Sequence, residues 1–483
     1  MRLPLTKSWV LALMVVLLVS SMAFGKTLST DVIVVGGGGA GLAAAIEAAD
    51  EGADVILVEK MAFMGGSTLI CGGVVLAAGT DLQRELGIED SADAMYEYWM
   101  LWNQWQVDPS LARIIADQSA DVIDWLIDLG VDFPAVLTPP GVNPATGGLY
   151  ISGADSVPRG HTANRGGLGL TQPMIDRVNN HPNIQVMLSS PAVELIAEEG
   201  RVVGVVVQTP EEEIQIRGKA VVLASGGFGH NEEMMRRYLP AAIAHGSRYV
   251  SISGKGSTGD GMRMAAQLGA ELVDMEGTLL FAMPEVAAPS PVYLVYVNQQ
   301  GRRFVNEIGF YELINHGVSA QKDGLAWGIF DEAAVSASGM SQEQLEDNLR
   351  KGKIFKGDTL EELAVKVGIN PRGLVNTINQ WNDYAAAGSD PDFFKPVLNP
   401  VSSPPYYAVQ VTRHYHVVSS GGLRIDQEAR VLKETGEPIP GLFAAGETTG
   451  GIYSKTYPGS GSAVADALVF GRIAGRNAAE LAK

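Results

Sequence analysis

Gly36, Gly38 and Gly41 stand in the G-x-G-x-x-G spacing directly after the β-branched run Asp31-Val-Ile-Val-Val35. In such a turn the first glycine permits the tight bend, the second admits a pyrophosphate to the backbone, and the third lets helix and strand pack closely. Ala40 lies inside the turn, and the helix predicted over Leu42–Ala49 offers its free N–H groups and positive dipole end to a phosphate. A second strand, predicted over Ala53–Val58, ends in Glu59 and Lys60, where a carboxylate can hold a ribose diol. A glycine-rich turn without a ligand is the plain alternative. Strand, turn, helix, second strand and acid in register point instead to a bound dinucleotide, without saying which.

The next glycine-rich stretch, MAFMGGSTLICGGVVLAAGT, brings Ser67 and Thr68 as hydrogen-bond donors and Gly72 and Gly73 as points of close approach. Composition alone allows equally a loop that covers the sheet edge. Ala220–Phe228 reads as a buried strand ending in a glycine turn at Ala224 and Gly226, and Gly256–Gly261 opens another helix with Asp260 at its start. Near the C-terminus, Gly441–Gly446 is a strand followed by Glu447, and a turn on Gly459 and Gly461 leads into a long helix. An N-terminal dinucleotide motif completed by a C-terminal strand, glycine and acid predicts one extended cofactor, FAD rather than a nicotinamide, across the whole first domain.

Other chemistry-bearing residues are less specific. Arg159, His161 and Arg165 form a positive cluster in an irregular stretch over 139–169, which suits an anion, although exposed arginines are usually only solvated. His414 and His416 alternate on a predicted strand and so share a face; a substrate site fits them better than a metal, since no third ligand is evident. Trp99, Trp102 and Trp105 fall on one helical face, as core residues commonly do. The tetrad Gly459-Ser-Gly-Ser462 is not G-x-S-x-G, which leaves a serine hydrolase unsupported.

The 483 residues are 46% hydrophobic and 18% charged, a globular composition long enough for two domains. A formal net charge of −19 repels nucleic acid and anionic membrane surfaces, so any anionic ligand needs a local positive pocket. Cys71 is the single cysteine, which excludes an internal disulfide, a thiolate metal cluster and covalent haem. Arg2 and Lys7 precede the apolar run Trp9–Val19 and the small residues Ala23 and Gly25, the pattern of a secretory signal peptide. The run covers only about half of a bilayer's ~30 Å core, which favours cleavage after Gly25 over a permanent anchor. The chain is therefore expected to be exported, into the periplasm, by the general secretory route.

The fold class predicted is α/β, a Rossmann-like FAD-binding domain interrupted by an inserted α+β capping domain. The boundaries are 1–25 for the signal peptide, 26–276 and 413–483 for the two parts of the FAD-binding domain, and 277–412 for the cap. Within this plan 88–129 reads as helical, Gln300–Glu307 as a turn entering a strand, and LEELAVKVGI and PRGLVNTINQWNDYAAAG as helices.

Six segments carry a family resemblance. They are VVGGGGAGLAAA with VEK at 58–60, GGST at 65–68, ASGGF at 224–228, TGDG at 258–261, GRRFVNE at 301–307, and AAGET with VFGRIAG near the end. In this order they resemble the FAD-dependent fumarate reductase/succinate dehydrogenase flavoprotein superfamily, which includes the 3-ketosteroid dehydrogenases. The resemblance implies a substrate held between cap and flavin. It implies FAD contacts at Gly36, Gly38, Ala40, Gly41, Glu59, Lys60, Ser67, Thr68, Gly72, Gly73, Val193, Ala224, Gly226, Asp260, Glu447, Ala463 and Val464.

The carboxylate-handling positions of fumarate reductases differ here. The proton-donating arginine after RFVNE is Tyr311, the arginine before the last helix falls in Tyr457-Pro-Gly-Ser-Gly461, and a histidine pair becomes Val417-Val418. Tyr311, Tyr457 and Gly461 are instead similar to the 3-ketosteroid dehydrogenases, where a tyrosine follows RFVNE and a Tyr-Pro-Gly-x-Gly turn polarises a ketone. A further first-domain tyrosine of that group has only Tyr96 and Tyr98 as candidates. The chemistry agrees: a phenol can exchange the proton beside a hydride-accepting carbon, and a hydroxyl with a backbone N–H can hold the charge on a carbonyl oxygen. Taken alone, either tyrosine is an ordinary core or rim residue.

The expectation is an exported FAD oxidoreductase acting on a CH–CH bond beside a carbonyl, exchanging electrons with a separate cytochrome or quinone. A respiratory reductase of an unsaturated acid, with Arg159, Arg165, Arg413 or Arg424 on the carboxylate, is the second reading. A flavin-binding electron-transfer subunit is the third.

Overall fold

The β-branched run after Asp31 forms β1 (Val32–Val35), buried at every residue as a strand covered on both faces must be. It turns into α1 (Gly39–Asp50) and returns as the equally buried β2 (Val55–Val58). The computed structural model describes residues 26–137, 157–243, 249–309, 311–454 and 456–483, without the side chains of residues 137, 241, 311, 413 and 414. The expected signal segment, 1–25, lies outside the described residues.

The stretch predicted as one helical run is two helices, α2 (Ala92–Trp102) and α3 (Pro109–Asp128). Asp108 caps α3 through the Ser110 N–H, and Pro109 sits at its first position, where a missing N–H costs nothing. The connection passes through Gln104 and Trp105 at positive φ, which takes Trp105 off the predicted face. Trp99 is fully buried and Trp105 is 67% exposed. The tryptophan stripe is therefore not one face of one helix.

The chain rejoins the first sheet as β3 (Ile184–Met187) and β4 (Ala220–Leu223), then enters the short helix α4 (Asp260–Ala266). A separate four-stranded sheet holds Lys26–Ser29, Glu213–Arg217, Arg201–Gln208 and Ala192–Glu198 in that order.

After Gly277 the chain builds a second sheet, on β5 (Thr278–Pro284) and β6 (Val295–Val297), followed by α5 (Tyr311–Ser319), β7 (Ala326–Asp331), β8 (Ile354–Gly357), α6 (Leu360–Val367), α7 (Pro371–Ala387) and β9 (Tyr406–Ser419). The 14-residue β9 is the spine: it pairs antiparallel with β5, β7 and β8 and parallel with Tyr249–Ser251. Successive residues face opposite ways, as the pleat requires. Tyr296, Phe330, Tyr407 and Val409 pack in one core with Ile314 and Val318 of α5. Val295, Val297, Trp327 and Ala408 pack in another with Leu363 of α6 and Trp381 of α7. The insertion enters and leaves at one point, where the Ser420 N–H bonds the Gly277 carbonyl (2.9 Å) and Thr278 Oγ1 bonds the Val418 carbonyl (3.0 Å).

Gln300–Glu307 does not form the strand predicted for it; its pairing is a single bridge, Val297 to Arg303. Side-chain bonds replace the ladder. Arg303 binds Glu307 (Nε to Oε1, 2.9 Å) and Asp390 (3.0 Å), and Glu307 accepts from the Tyr296 N–H (3.0 Å), all in a buried setting.

The chain returns to the first sheet through β10 (Arg430–Leu432) and β11 (Pro438–Ala444) and ends in α8 (Ser462–Ala482). The sheet order is β10-β11-β4-β1-β2-β3, parallel throughout except for β10. The turn between β1 and α1 is packed backbone to backbone: a Cβ on Gly41 would lie 1.8 Å from the Gly36 carbonyl oxygen. Gly41→Ala should destabilise the chain by about 1–3 kcal/mol, the usual cost of forcing a group into a filled core. Denaturant unfolding of the variant checks this, and an unchanged midpoint would refute it.

Candidate active site

The β1–α1 turn ends in α1, whose N-cap Gly38 makes no side-chain cap bond, the setting in which a helix N-terminus can receive a phosphate. A Cβ on Gly38 would meet nothing nearer than Gly66 Cα at 3.9 Å, so this side of the turn has room for a ligand. Ala40 is buried behind it. Gly36, at φ +108, has no such room: its Cβ would stand 2.3 Å from the Ala224 carbonyl, which ties the turn to the end of β4. Gly226 follows at φ +75. Glu59 is buried and takes the Gly37 N–H on Oε2 (2.7 Å) and the Met61 N–H on Oε1 (2.6 Å), which fixes its carboxylate beside the glycines.

Around this turn, Thr68 Oγ1 accepts the Gly39 N–H (3.2 Å) and Ser67 Oγ accepts the Gly254 N–H (2.9 Å). Lys60 Nζ bridges Thr258 Oγ1 (2.5 Å) and Asp260 Oδ2 (2.7 Å). Burial raises the Asp260 carboxyl, but Lys60, Thr258 and Arg263 outweigh it and hold the group below the ordinary carboxylate range. Val193 is 52% exposed and is skipped in the pairing of its strand, which passes from Ala192↔Val207 to Glu194↔Val206. Gly72 is exposed. The Gly73 N–H donates to the Cys71 sulfur (3.2 Å), and a Cβ on Gly73 would strike Gly166 at 2.3 Å. Gly-rich room at Gly38, a helix N-terminus without a side-chain N-cap and a buried acid fit an extended FAD.

The other half of the site is the segment from Tyr453 to Val464, gripped by α2. Trp99 Nε1 donates to the Ile452 carbonyl (3.0 Å), Thr456 Oγ1 to the Trp102 carbonyl (2.8 Å), and Tyr98 Oη to the Pro458 carbonyl. Tyr98 therefore reaches the turn, whereas Tyr96 lies under the Arg113 guanidinium, 5.4 Å from its ring centre. Tyr457 is buried, and its hydroxyl accepts the Ala463 N–H (3.0 Å) at the start of α8. The Ala463 amide assigned to FAD thus also serves Tyr457, while Val464 beside it stays half-buried. Burial pushes the Tyr457 phenol up, so it stays protonated at neutral pH. Gly461 caps α8 at φ +96, its carbonyl taken by Ala465 (2.9 Å) and Leu76 (3.3 Å). Tyr311 opens α5; its side chain lies outside the described residues.

Three acids with desolvated carboxyl groups lie near this turn; Glu447 was expected on the cofactor, whereas Asp466 and Glu312 gave no signal in the sequence. Glu447 accepts the Ser419 N–H on Oε1 (2.8 Å), and burial still pushes it up to about 7. Asp466, on α8, is pushed by burial to about 8. The Tyr453 hydroxyl faces it, yet neither that hydroxyl nor Asp466 Oδ1 reaches a partner of hydrogen-bonding geometry among the described residues. Glu312, on α5, is pushed by burial to about 7. The first two follow glycine turns by position, but their burial depends on distant elements.

The predicted anion cluster is a correction. Arg159 is fully buried and bidentate to Asp90 (Nε to Oδ2, 2.8 Å; Nη2 to Oδ1, 2.7 Å), with its guanidinium 5.2 Å from the Tyr98 ring centre. Its charge is neutralised, and it supports Tyr98 rather than a ligand. His161 is buried against Thr80 (2.8 Å), and burial takes it down to about 4, hence neutral. Arg165 is exposed, and Arg424 pairs with Glu271 (2.9 Å). Residues 138–156 of that stretch, and the side chains of Arg413 and His414, lie outside the described residues. His416 is fully buried between Ser251 (3.4 Å) and Ser419 (3.3 Å), and burial, with His230 nearby, lowers it to about 3.

Two measurements test this arrangement. Gly38→Ala should leave the unfolding midpoint nearly unchanged but lower the FAD retained on purification, because the space it fills belongs to the ligand; equal retention would count against the cradle. Asp466 keeps its proton in the folded chain up to about pH 8 but releases it near 3.8 when unfolded. Stability from this group is therefore full below about pH 4 and lost as pH rises to 8. Asp466→Asn should then gain thermal stability over the native chain increasingly between pH 5 and 8. A difference independent of pH would show that Asp466 ionises normally.

Residues 31–464 match the profile of the family described as an FAD binding domain. A urocanate reductase of Eggerthella lenta is 33% identical over 474 residues, covering 95% of this chain and 76% of that protein. The open conformation of a flavocytochrome c3 fumarate reductase superposes with a TM-score of 0.77 at 31% identity, covering 99% of this chain and 82% of that one. The 3-ketosteroid-Δ4-(5α)-dehydrogenase from Rhodococcus jostii RHA1, in complex with 4-androstene-3,17-dione, gives 0.79 at 30% identity, covering 95% and 99%. The chain belongs to this FAD-binding family of fumarate-reductase-type flavoproteins, with a capping domain, and is an FAD-dependent oxidoreductase acting on C=C or CH–CH bonds.

Proposed function

We propose that this protein acts on a CH–CH bond next to a carbonyl, as an enone reductase or, in reverse, as a dehydrogenase of the 3-ketosteroid type. Bound FAD supplies hydride chemistry at its flavin N5. Reduction of such a bond would place a hydride on the carbon β to the carbonyl and a proton on the α carbon, the proton coming from the Tyr311 hydroxyl. The Tyr457 hydroxyl and the Gly461 N–H hold the negative charge that gathers on the carbonyl oxygen.

The observation that carries this reading is the Tyr457 hydroxyl. It is buried, stays protonated, and accepts the Ala463 N–H, which leaves its own proton to donate. The similarity to a dehydrogenase in complex with a steroid ketone supports it. Arg159 and Arg424, two of the four arginines considered for a carboxylate substrate, are each tied to an acid. Similarity to the urocanate reductase favours the second reading, an unsaturated acid bound through Arg413. The leading segment supports export to the periplasm, with a cytochrome or quinone as the separate electron partner.

The test is anaerobic reduction of the FAD-loaded protein, followed by flavin reoxidation with cyclic enones, steroid ketones, fumarate, urocanate and aryl acrylates. An enone should reoxidise it fastest, with Tyr457→Phe slower by about 10²-fold, the usual loss for one oxyanion donor, and Tyr311→Phe slower still. Reoxidation by an acid, indifferent to both substitutions, would establish the acid reductase instead. Silence from the whole panel would favour the electron-transfer subunit.

A further inference from the structure

Glu312 is the second residue of α5, and its carboxyl group is turned inward against the Tyr457 segment. Both carboxyl oxygens are buried, and neither has a hydrogen-bond partner among the described residues. The backbone N–H groups of Glu312 itself and of Tyr457 face the carboxyl without reaching hydrogen-bonding geometry. A carboxyl buried without a partner is costly, and such a group in a native structure calls for an explanation, a ligand or a reaction among them.

The surroundings sharpen the case. β5, packed against α5, carries no ionisable side chain over Thr278–Pro284. Glu285, just beyond it, is bonded to Thr412 (2.8 Å) and Lys353 (3.3 Å). On α5 the next ionisable residue is His316, a turn away and exposed. The C-terminal half of β9 carries Arg413, His414, Tyr415 and His416; the first two side chains lie outside the described residues, and His416 is buried against Ser251 and Ser419. From the other side the Tyr457 phenol faces it, with Cys71 and Asp466 also acting on that phenol. No described cation is paired with Glu312.

We propose that Glu312 is a specificity-determining residue, its carboxyl group hydrogen-bonding an uncharged oxygen of the substrate and discriminating against a substrate carboxylate. This rests on the reading of the site as one that acts beside a carbonyl. As the un-ionised acid Glu312 adds a donor next to Tyr457; as the carboxylate it has no proton to give and repels an anion. Burial pushes the group up to about 7, so the donating form prevails below neutrality and gives way above it. The substrate class that follows is a neutral conjugated ketone or aldehyde rather than a free unsaturated acid.

The test compares the FAD-loaded native protein with Glu312→Gln, an isosteric and uncharged change. Binding of 4-phenyl-2-butanone and of 3-phenylpropionate is followed by flavin absorbance from pH 5.5 to 9, and flavin reoxidation is followed with the matching enone and acrylate. The native protein should bind the ketone about tenfold more weakly above pH 8 than below pH 6, as expected for one lost hydrogen bond. Glu312→Gln should bind it with no such pH dependence and gain about tenfold for the carboxylate. Identical pH profiles and identical selectivity in the two proteins would overturn the role of Glu312, even if the variant were less stable. Because the saturated ligands report binding without turnover, failure of reoxidation alone would count against the carbonyl reaction and leave the selectivity result standing.

Discussion

The first and last helices touch backbone to backbone, and the flavin side of the molecule is arranged around that contact. A Cβ on Gly471 would lie 2.6 Å from the Ala40 carbonyl, and one on Gly475 would lie 2.3 Å from the Ala44 carbonyl. Small residues four apart on each helix let the i±4 ridges interlock at close range. Arg472, between the two glycines, turns to Glu47 of α1 and covers Trp125 of α3. The pairing brings the α8 N-terminus, with Gly461, Ser462 and Tyr457, to the same side of the sheet as the β1–α1 turn. Two halves of the site that are more than four hundred residues apart thus share one rigid seam.

Much of this was legible because its signals are local. The glycine spacing at 36–41, the acid at Glu59 and the β-branched strands depend on neighbours in sequence, and the ordered motifs carried the family. What stayed hidden depends on distant partners. Arg159 reads as a cation until Asp90, 69 residues away, is placed against it. Gln300–Glu307 has strand-like residues, yet the Arg303–Glu307–Asp390 bonds satisfy it without a ladder. Between Ala92 and Asp128 the apolar period continues across a break that Asp108 and Pro109 announce, so capping outweighed periodicity. The VFGRIAG segment was recognisable as a motif, but its physical reason, the glycines that admit α1, appears only in the packing. Glu312 and Asp466 are common residues in helical segments; burial, which sequence spacing does not report, is what makes them unusual.

The electrostatics of the substrate side differ in kind from those of the cofactor side. Around the glycine turn, charges are met: Lys60 with Asp260, Glu59 with two amides. Around Tyr457 the described groups are phenols and carboxyls, with Glu312, Glu447 and Asp466 all held near neutrality by burial. Low-dielectric surroundings of this kind strengthen hydrogen bonds from neutral donors and penalise an incoming negative charge. Such surroundings accord with the proposed reaction beside an uncharged carbonyl.

The insertion that carries α5 and β9 begins and ends at hydrogen-bonded neighbours, Gly277 and Ser420. A unit whose two ends meet adds almost nothing to the closure entropy of its host, whatever its internal length. It behaves as a cassette. The cap-side residues proposed to meet the substrate, Tyr311 and Glu312, both lie within that cassette and apart from the dinucleotide seam. A chimera joined at this crossing would keep its cofactor cradle and the Tyr457 turn while exchanging only the cap-side half of the proposed substrate site.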